Sequence, residues 1–248
     1  MNSKSEQIPA DIETSSQGYA DRFAGKIGAW MLQKQADITL NLLHDTSKQA
    51  DILDVGGGHA QLAVPLLQNG YKVTVHGSDE SCSKRIKKLL DGDQCKFVCS
   101  SMFALPFADH SVNTLLCFRL ITHCDNWQNL IAELCRVASD HIIIDYPTGH
   151  SLNAIASGSL FSFKKKLEGN TRSWRLFSRK ELESEFNKYG FVCDSETKQF
   201  FLPMVLHRTL RCPRLSAFLE SVCRGLGLTR LWGSPVIMSL KHKKEHTP

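Results

Sequence analysis

The run Ile52-Leu53-Asp54-Val55-Gly56-Gly57-Gly58-His59-Ala60 places three glycines and a carboxylate where a short apolar strand gives way to a helix. Glycines at such a junction permit positive φ angles and let backbone approach a ligand closely. The helix that follows offers free N–H groups and the positive end of its dipole. In an open α/β sheet this junction lies at the carboxyl ends of the strands, where ligands bind. The spacing is not that of a dinucleotide site. A G-x-G-x-x-G pattern begun at Gly56 needs glycine where Gln61 stands, and one begun at Gly57 fails at His59. That argues against a nicotinamide-dependent oxidoreductase. Asp79 follows the second apolar strand, with Glu80 as its alternative. His123 follows the fourth strand, and Asp145 and Tyr146 end the fifth, so all three are expected at the same mouth.

The elements that must position these residues read as an alternation of strand and helix. Strands are expected at 51–55, 72–76, 96–99, 112–117, 141–145, 191–201 and 234–241. Helices are expected at 19–43, 59–68, 81–90 and 125–138, the last with Asp125 as N-cap, and at 178–189. Ser178 with Glu181 three residues on reads as a capping box, and Gly190 as the stop. Pro65 falls in or just beyond the first turn of its helix, where its cost is small. The pattern predicts a doubly wound α/β fold of about seven strands, mostly parallel. Residues 1–17 read as a disordered leader and 18–248 as a single domain. Its core spans 45–148, and helical insertions fall at about 150–176 and 203–231.

Composition narrows the function classes. No apolar run approaches the length of a membrane span. Nine scattered cysteines contain no C-x-x-C pair, so the chain reads as a cytosolic protein with reduced thiols and no metal site. The net charge is +5, and between Leu160 and Leu231 fourteen Lys or Arg face seven Asp or Glu. Lys164, Lys165, Lys166, Arg172, Arg175 and Arg179 could attract an anionic acceptor or a membrane surface. No nucleic-acid-binding motif accompanies the charge.

The segment Asp54 to Ala60, D-x-G-x-G-x-A, resembles the first motif of class I S-adenosylmethionine-dependent methyltransferases. Ser101-Met102-Phe103-Ala104-Leu105-Pro106-Phe107-Ala108-Asp109-His110-Ser111 resembles the D-A-x-x-L-P-F-x-D-x-S segment of the methyltransferase type 11 group. That group includes the ubiquinone and menaquinone C-methyltransferases. Leu116 to His123 is similar to its fourth-strand segment. The likeness covers roughly residues 19–145. It implies a Rossmann-like fold, with the last strand antiparallel, and S-adenosyl-L-methionine as cofactor. It also implies roles for individual residues: Gly56, Gly57 and Gly58 around the methionine part, Asp54 toward the amino group, and Asp79 on the ribose hydroxyls. Ser101 stands where an acidic residue would meet the adenine amine, and Met102 would pack on the ring. Arg119 and Tyr19 complete the expected cofactor set.

Methyl transfer from a sulfonium is an in-line displacement, so the protein must chiefly hold and align the acceptor. A hydroxyl acceptor also needs a general base. His123 is the first candidate, with Asp145 and Tyr146 beside it. Tyr19 and Phe23 could form a lid, since an aromatic face near a sulfonium is favourable. Residues 170–175 and 202–208 mix aromatics and cations as an acceptor pocket would. The expected acceptor is a small or lipid-linked, anionic molecule. The alternative is a regulator or scaffold that binds the cofactor without transfer.

Overall fold

The computed structural model describes residues 9–154 and 174–243. Seven strands form one sheet in the order β3-β2-β1-β4-β5-β7-β6. They are β1 (Asp51–Val55), β2 (Lys72–Gly77), β3 (Lys96–Cys99), β4 (Val112–Cys117), β5 (Ala138–Tyr146), β6 (Phe191–Phe200) and β7 (Ser234–His242). β1 to β5 pair in parallel, while β7 lies antiparallel between β5 and β6. The order reverses between β1 and β4. Ligands of open α/β sheets bind at such a switch point.

Strand alternation divides the core into two layers. Leu53, Val55, Leu115, Ile142 and Ile144 point toward α6 (Trp127–Val137) and α7 (Arg179–Asn187). Ile52, Val73, Val75, Leu116 and Ile143 point the other way. There they meet α3 (Gly25–Leu42), α4 (Ala63–Gln68) and the turn before α5 (Lys87–Asp91). The apolar run at 142–144 therefore serves both faces, as a central parallel strand requires. Three helices, α8 (Met204–Leu210), α9 (Pro213–Gly225) and α10 (Leu228–Trp232), stand between β6 and β7. Among the described residues, no helix is long and apolar enough to cross a membrane.

Local structure departs from expectation at four places. The leader expected through residue 17 is structured from Ala10 onward: α1 (Ala10–Thr14) and α2 (Gln17–Ala20) pack on the sheet with Ala10, Asp11 and Thr14 buried. The helix expected from Tyr19 is interrupted by a 3-10 turn at Asp21–Phe23 and by Gly25 at φ 75°. α4 starts only at Ala63, because Ala60 takes the left-handed region at φ 66°. Pro65 thus falls in its first turn, where its missing N–H has no intrahelical partner to lose. The cap of α6 is Asn126 rather than Asp125, and its side chain makes no capping bond.

At α7 the Ser178 side chain accepts from the Glu181 N–H as the capping pattern requires. The Glu181 carboxylate instead pairs with Arg175. Lys164, Lys165, Lys166 and Arg172 lie outside the described residues.

Candidate functional site

β1 ends at Val55, and Gly56 turns the chain with φ 72° and ψ 20°, a conformation that disfavours any side chain. Gly57 and Gly58 are needed for a different reason. A Cβ on Gly57 would lie 2.3 Å from the Asp54 carboxylate, and one on Gly58 would lie 2.3 Å from Ser15 Oγ and 2.5 Å from the Cys82 carbonyl oxygen. Asp54 is 2% exposed. Burial pushes its carboxyl up to about 7.

The N-terminal segment lies over this loop. Asp11 is fully buried, and its Oδ2 accepts from the Ser78 backbone N–H and from the Cys82 thiol at 3.8 Å. Ala10 joins the apolar cluster that contains Met102, Leu105 and Leu120. The space left at the glycine loop, bounded by Thr14, Asp54, His59, Gln61 and Arg119, is about 10 Å³. Cofactor pockets are typically roughly 300–1,000 Å³. The N-terminal segment therefore covers the glycine turn closely.

Asp79 follows the end of β2 by two residues. It is exposed, and its carboxylate caps the following 3-10 turn by accepting from the Ser81 N–H at 2.8 Å. Glu80 is exposed as well. The strand-end position belongs to Gly77, where a Cβ would meet the Cys82 side chain at 2.5 Å. Ser101 is exposed and its Oγ accepts from the Phe103 N–H, whereas Met102 is buried.

Beyond β4, Arg119 adopts φ 58°. Its backbone N–H donates to Asp145 Oδ1, and its Nη2 donates to Gln35 Oε1 at 3.0 Å. Gln35 Nε2 in turn donates to Asp145 Oδ2 at 3.0 Å. The guanidinium lies 4.1 Å from the Phe23 ring centre and 6.0 Å from that of Tyr19. Both rings meet the edge of His59 at under 6 Å. Burial, with Arg119 and Arg85 nearby, lowers His59 to about 3, so its ring is neutral. Burial also raises Tyr19 and Asp145.

On the far side of Arg119 and Asp145 opens a cavity of about 450 Å³. Its apolar wall includes Tyr19, Phe23, Met31, Trp174, Phe200 and Met204. Its polar groups include Arg119, His123, Asp145, Gln199 and Arg208. Tyr146 is not among them. Adjacent residues of a strand point to opposite faces, so Tyr146 packs with Ile142 and Ile144 while its hydroxyl reaches Glu196 at 3.4 Å. The expectation that Asp145 and Tyr146 share one mouth is thereby corrected. Both segments expected to build an acceptor pocket do reach the cavity, through Trp174 and through Pro203, Met204, Val205 and Arg208.

Residues 53–141 match the family model described as a methyltransferase domain, Methyltransf_11. The match spans 89 of the 248 residues and marks a methyltransferase domain within the chain. No curated protein matches it. Among solved structures, the magnesium protoporphyrin IX methyltransferase of Synechocystis PCC 6803 is similar, with 16% identity and a TM-score of 0.63 over 93% of this chain and 96% of that one. A putative methyltransferase in complex with the Haloferax volcanii Trm112 activator is 13% identical, with a TM-score of 0.63 over 95% and 98%. The [4+2]-cyclase SpnF is 14% identical, with a TM-score of 0.56 over 84% and 80%. At these identities the likeness is one of fold.

The methyltransferase domain has residues that fit its cofactor. Buried polar atoms without partners gather about the glycine loop: Asp11 Oδ1, both ring nitrogens of His59, Gln61 Oε1 and Ser78 Oγ. A region that leaves this many groups unsatisfied is prepared for a polar ligand. Gln35, His59 and Gln61 were not expected as site residues. Gln35 sits mid-helix, where sequence offers no sign of its partners 84 and 110 residues away. Asp11 belonged to the polar leader, and nothing in its spacing marks it.

Proposed function

We propose that this methyltransferase domain transfers a methyl group to a small-molecule or lipid-linked acceptor with an apolar body and an anionic or polar end. The cavity of about 450 Å³ carries this reading, because it adjoins the glycine loop through Arg119 and is walled mainly by apolar side chains with Arg208 at one side.

S-adenosylmethionine, when bound, supplies an electrophilic methyl group on a sulfonium. Gly56, Gly57 and Gly58 allow close backbone approach, Asp54 offers a carboxylate to an amino group, and Arg119 offers a guanidinium to a carboxylate. Met102 supports an apolar ring. Tyr19 and Phe23 turn aromatic faces toward the boundary between groove and cavity, where a cation is favoured. The walls exclude water and align the acceptor, which can supply much of the rate. His123 lines the cavity and is the proposed base for a hydroxyl acceptor. Asp145 is a positioning residue, since both its oxygens are engaged by Gln35 and Arg119.

The decisive experiment is calorimetric titration with S-adenosylmethionine, S-adenosylhomocysteine and NADH, followed by radiolabelled methyl transfer to a panel of amphiphilic anions. Saturable binding of both adenosyl ligands and label in one acceptor class support the reading. Binding of NADH alone overturns it. The closely covered glycine turn favours one second reading, a domain that binds the cofactor as a regulator without transfer. Tight binding with no transfer across the panel would select it.

A further inference from the structure

Helix α9 is inverted. It buries two polar residues one turn apart, Ser216 and Glu220, and exposes Leu215, Phe218 and Val222. Those three recur at steps of three and four, and Leu226, 70% exposed, continues the row. Residues so spaced share one face of a helix. The row runs on into α10 through Leu231 and Trp232. Eight of the twelve exposed large apolar side chains among the described residues fall between 205 and 232. They are thus concentrated in one stretch of chain rather than scattered over the surface.

Glu220 explains the inversion. Its carboxylate accepts from the Phe201 N–H at 3.0 Å and the Leu202 N–H at 2.9 Å, and lies 2.9 Å from His207 Nε2. These bonds fix which side of α9 faces the protein, and the apolar row is left outward.

Along α8 to α10 the exposed charge has one sign. Arg208, Arg211, Arg214, Arg224 and Arg230 are all exposed, and the sole acid between residues 201 and 233 is the buried Glu220. Apolar and aromatic side chains flanked by arginines, without exposed acids, match the interface of an anionic bilayer. Arginine heads can stay with lipid phosphates while their stems cover apolar surface, and each basic group near such a surface adds attraction. A protein partner would have to offer a matching acidic, apolar groove; an anionic bilayer offers both features at once.

We propose that α8 to α10 form a docking surface for an anionic lipid bilayer. Because Met204, Val205 and Arg208 of α8 also line the 450 Å³ cavity, docking sets the wall of that cavity against the membrane. The inference deepens the lipid-linked acceptor reading but does not require methyl transfer, and its test uses no cofactor.

The full chain is sedimented with vesicles of phosphatidylcholine alone or mixed with phosphatidylglycerol, at low and high salt. Binding to the anionic vesicles, weakened by salt, is expected. Phe218→Ser with Leu226→Ser should reduce it at least about tenfold, and Arg211→Glu with Arg214→Glu should abolish the preference for anionic lipid. All four residues are exposed, so the melting temperature should not change, and a variant that melts early is replaced by Leu231→Ser with Trp232→Ser. Absence of wild-type binding to anionic vesicles overturns the proposal. So does a concentration-dependent dimer dispersed by Phe218→Ser without vesicle binding, which would make the patch an interface between copies.

Discussion

The Asp11 carboxylate accepts the backbone N–H of Ser78, joining the N-terminal helix to the loop after β2 across 67 residues of chain. Its other oxygen is buried without a partner. The helix α1 is thus held there by the Ser78 and Cys82 bonds and by burial of Ala10, and carries the cost of one unmet acceptor. We propose that α1 competes with the cofactor for the groove at the glycine turn. Asp11→Ala, or removal of residues 1–16, should tighten S-adenosylhomocysteine binding by roughly tenfold, since about 1.4 kcal/mol of competition is lost. Calorimetry measures this directly. Weaker binding in the variant would make Asp11 a cofactor ligand instead of a competitor.

Asp54 predicts a dependence of stability on pH. Its folded carboxyl titrates at about 7 because it is buried, well above the unfolded value of about 3.9. The folded state therefore binds more protons than the unfolded one across that window, and the group's contribution to stability falls as pH rises from about 4 to about 7. Asp54→Asn removes this penalty. The melting temperature of the variant relative to wild type should rise between pH 5 and pH 8, by an amount reflecting about 1.4 kcal/mol for each unit of the pKa shift. A constant difference would sink the idea.

Asp145 and Gln35 together hold Arg119. Asp145→Asn keeps the acceptor for the Arg119 N–H but disturbs the bond to Gln35, whereas Gln35→Ala frees the guanidinium on one side. Cofactor affinity should fall several-fold in both, with the KM for the acceptor less affected. Arg119→Ala should exceed either. The comparison is made by titration of S-adenosylhomocysteine.

His123 gives a test of acceptor chemistry. If the acceptor atom is a hydroxyl, His123→Ala should lower kcat by about 10²–10⁴ and flatten the acidic limb of the rate profile. Cofactor binding should be unchanged. A variant with full kcat would assign His123 to shaping the cavity wall.

Glu220→Ala should destabilise the α8 to α10 region by several kcal/mol, because it strands two backbone N–H groups and His207 in the interior. Hydrogen exchange should report the loss in α8 and α9, with β1 to β5 still protected.

The strand and helix alternation, the glycine turn at 56–58 and the capping role of Ser178 were legible because each rests on local periodicity or on residues within a few positions. So was the cavity contribution of Trp174 and of residues 203–208, marked by aromatics among cations. Other features were not legible. Asp79 stands two residues beyond the strand end, and its carboxylate also caps its own turn. Asp145 and Tyr146 differ in face because of the pleat, and only the pairing of β5 with β4 and β7 decides which face meets α3.

The amino-acid sequence by itself determined the doubly wound sheet and the loop that marks it as a methyltransferase domain, since hydrophobic period and glycine spacing act over a few residues. Only the tertiary structure decided that Asp11 joins α1 to the loop after β2, that Gln35 joins Arg119 to Asp145, and that α9 turns its apolar row outward. Each depends on polar groups far apart in the chain being buried together. Their hydrogen bonds then override the periodicity that would otherwise have chosen the face.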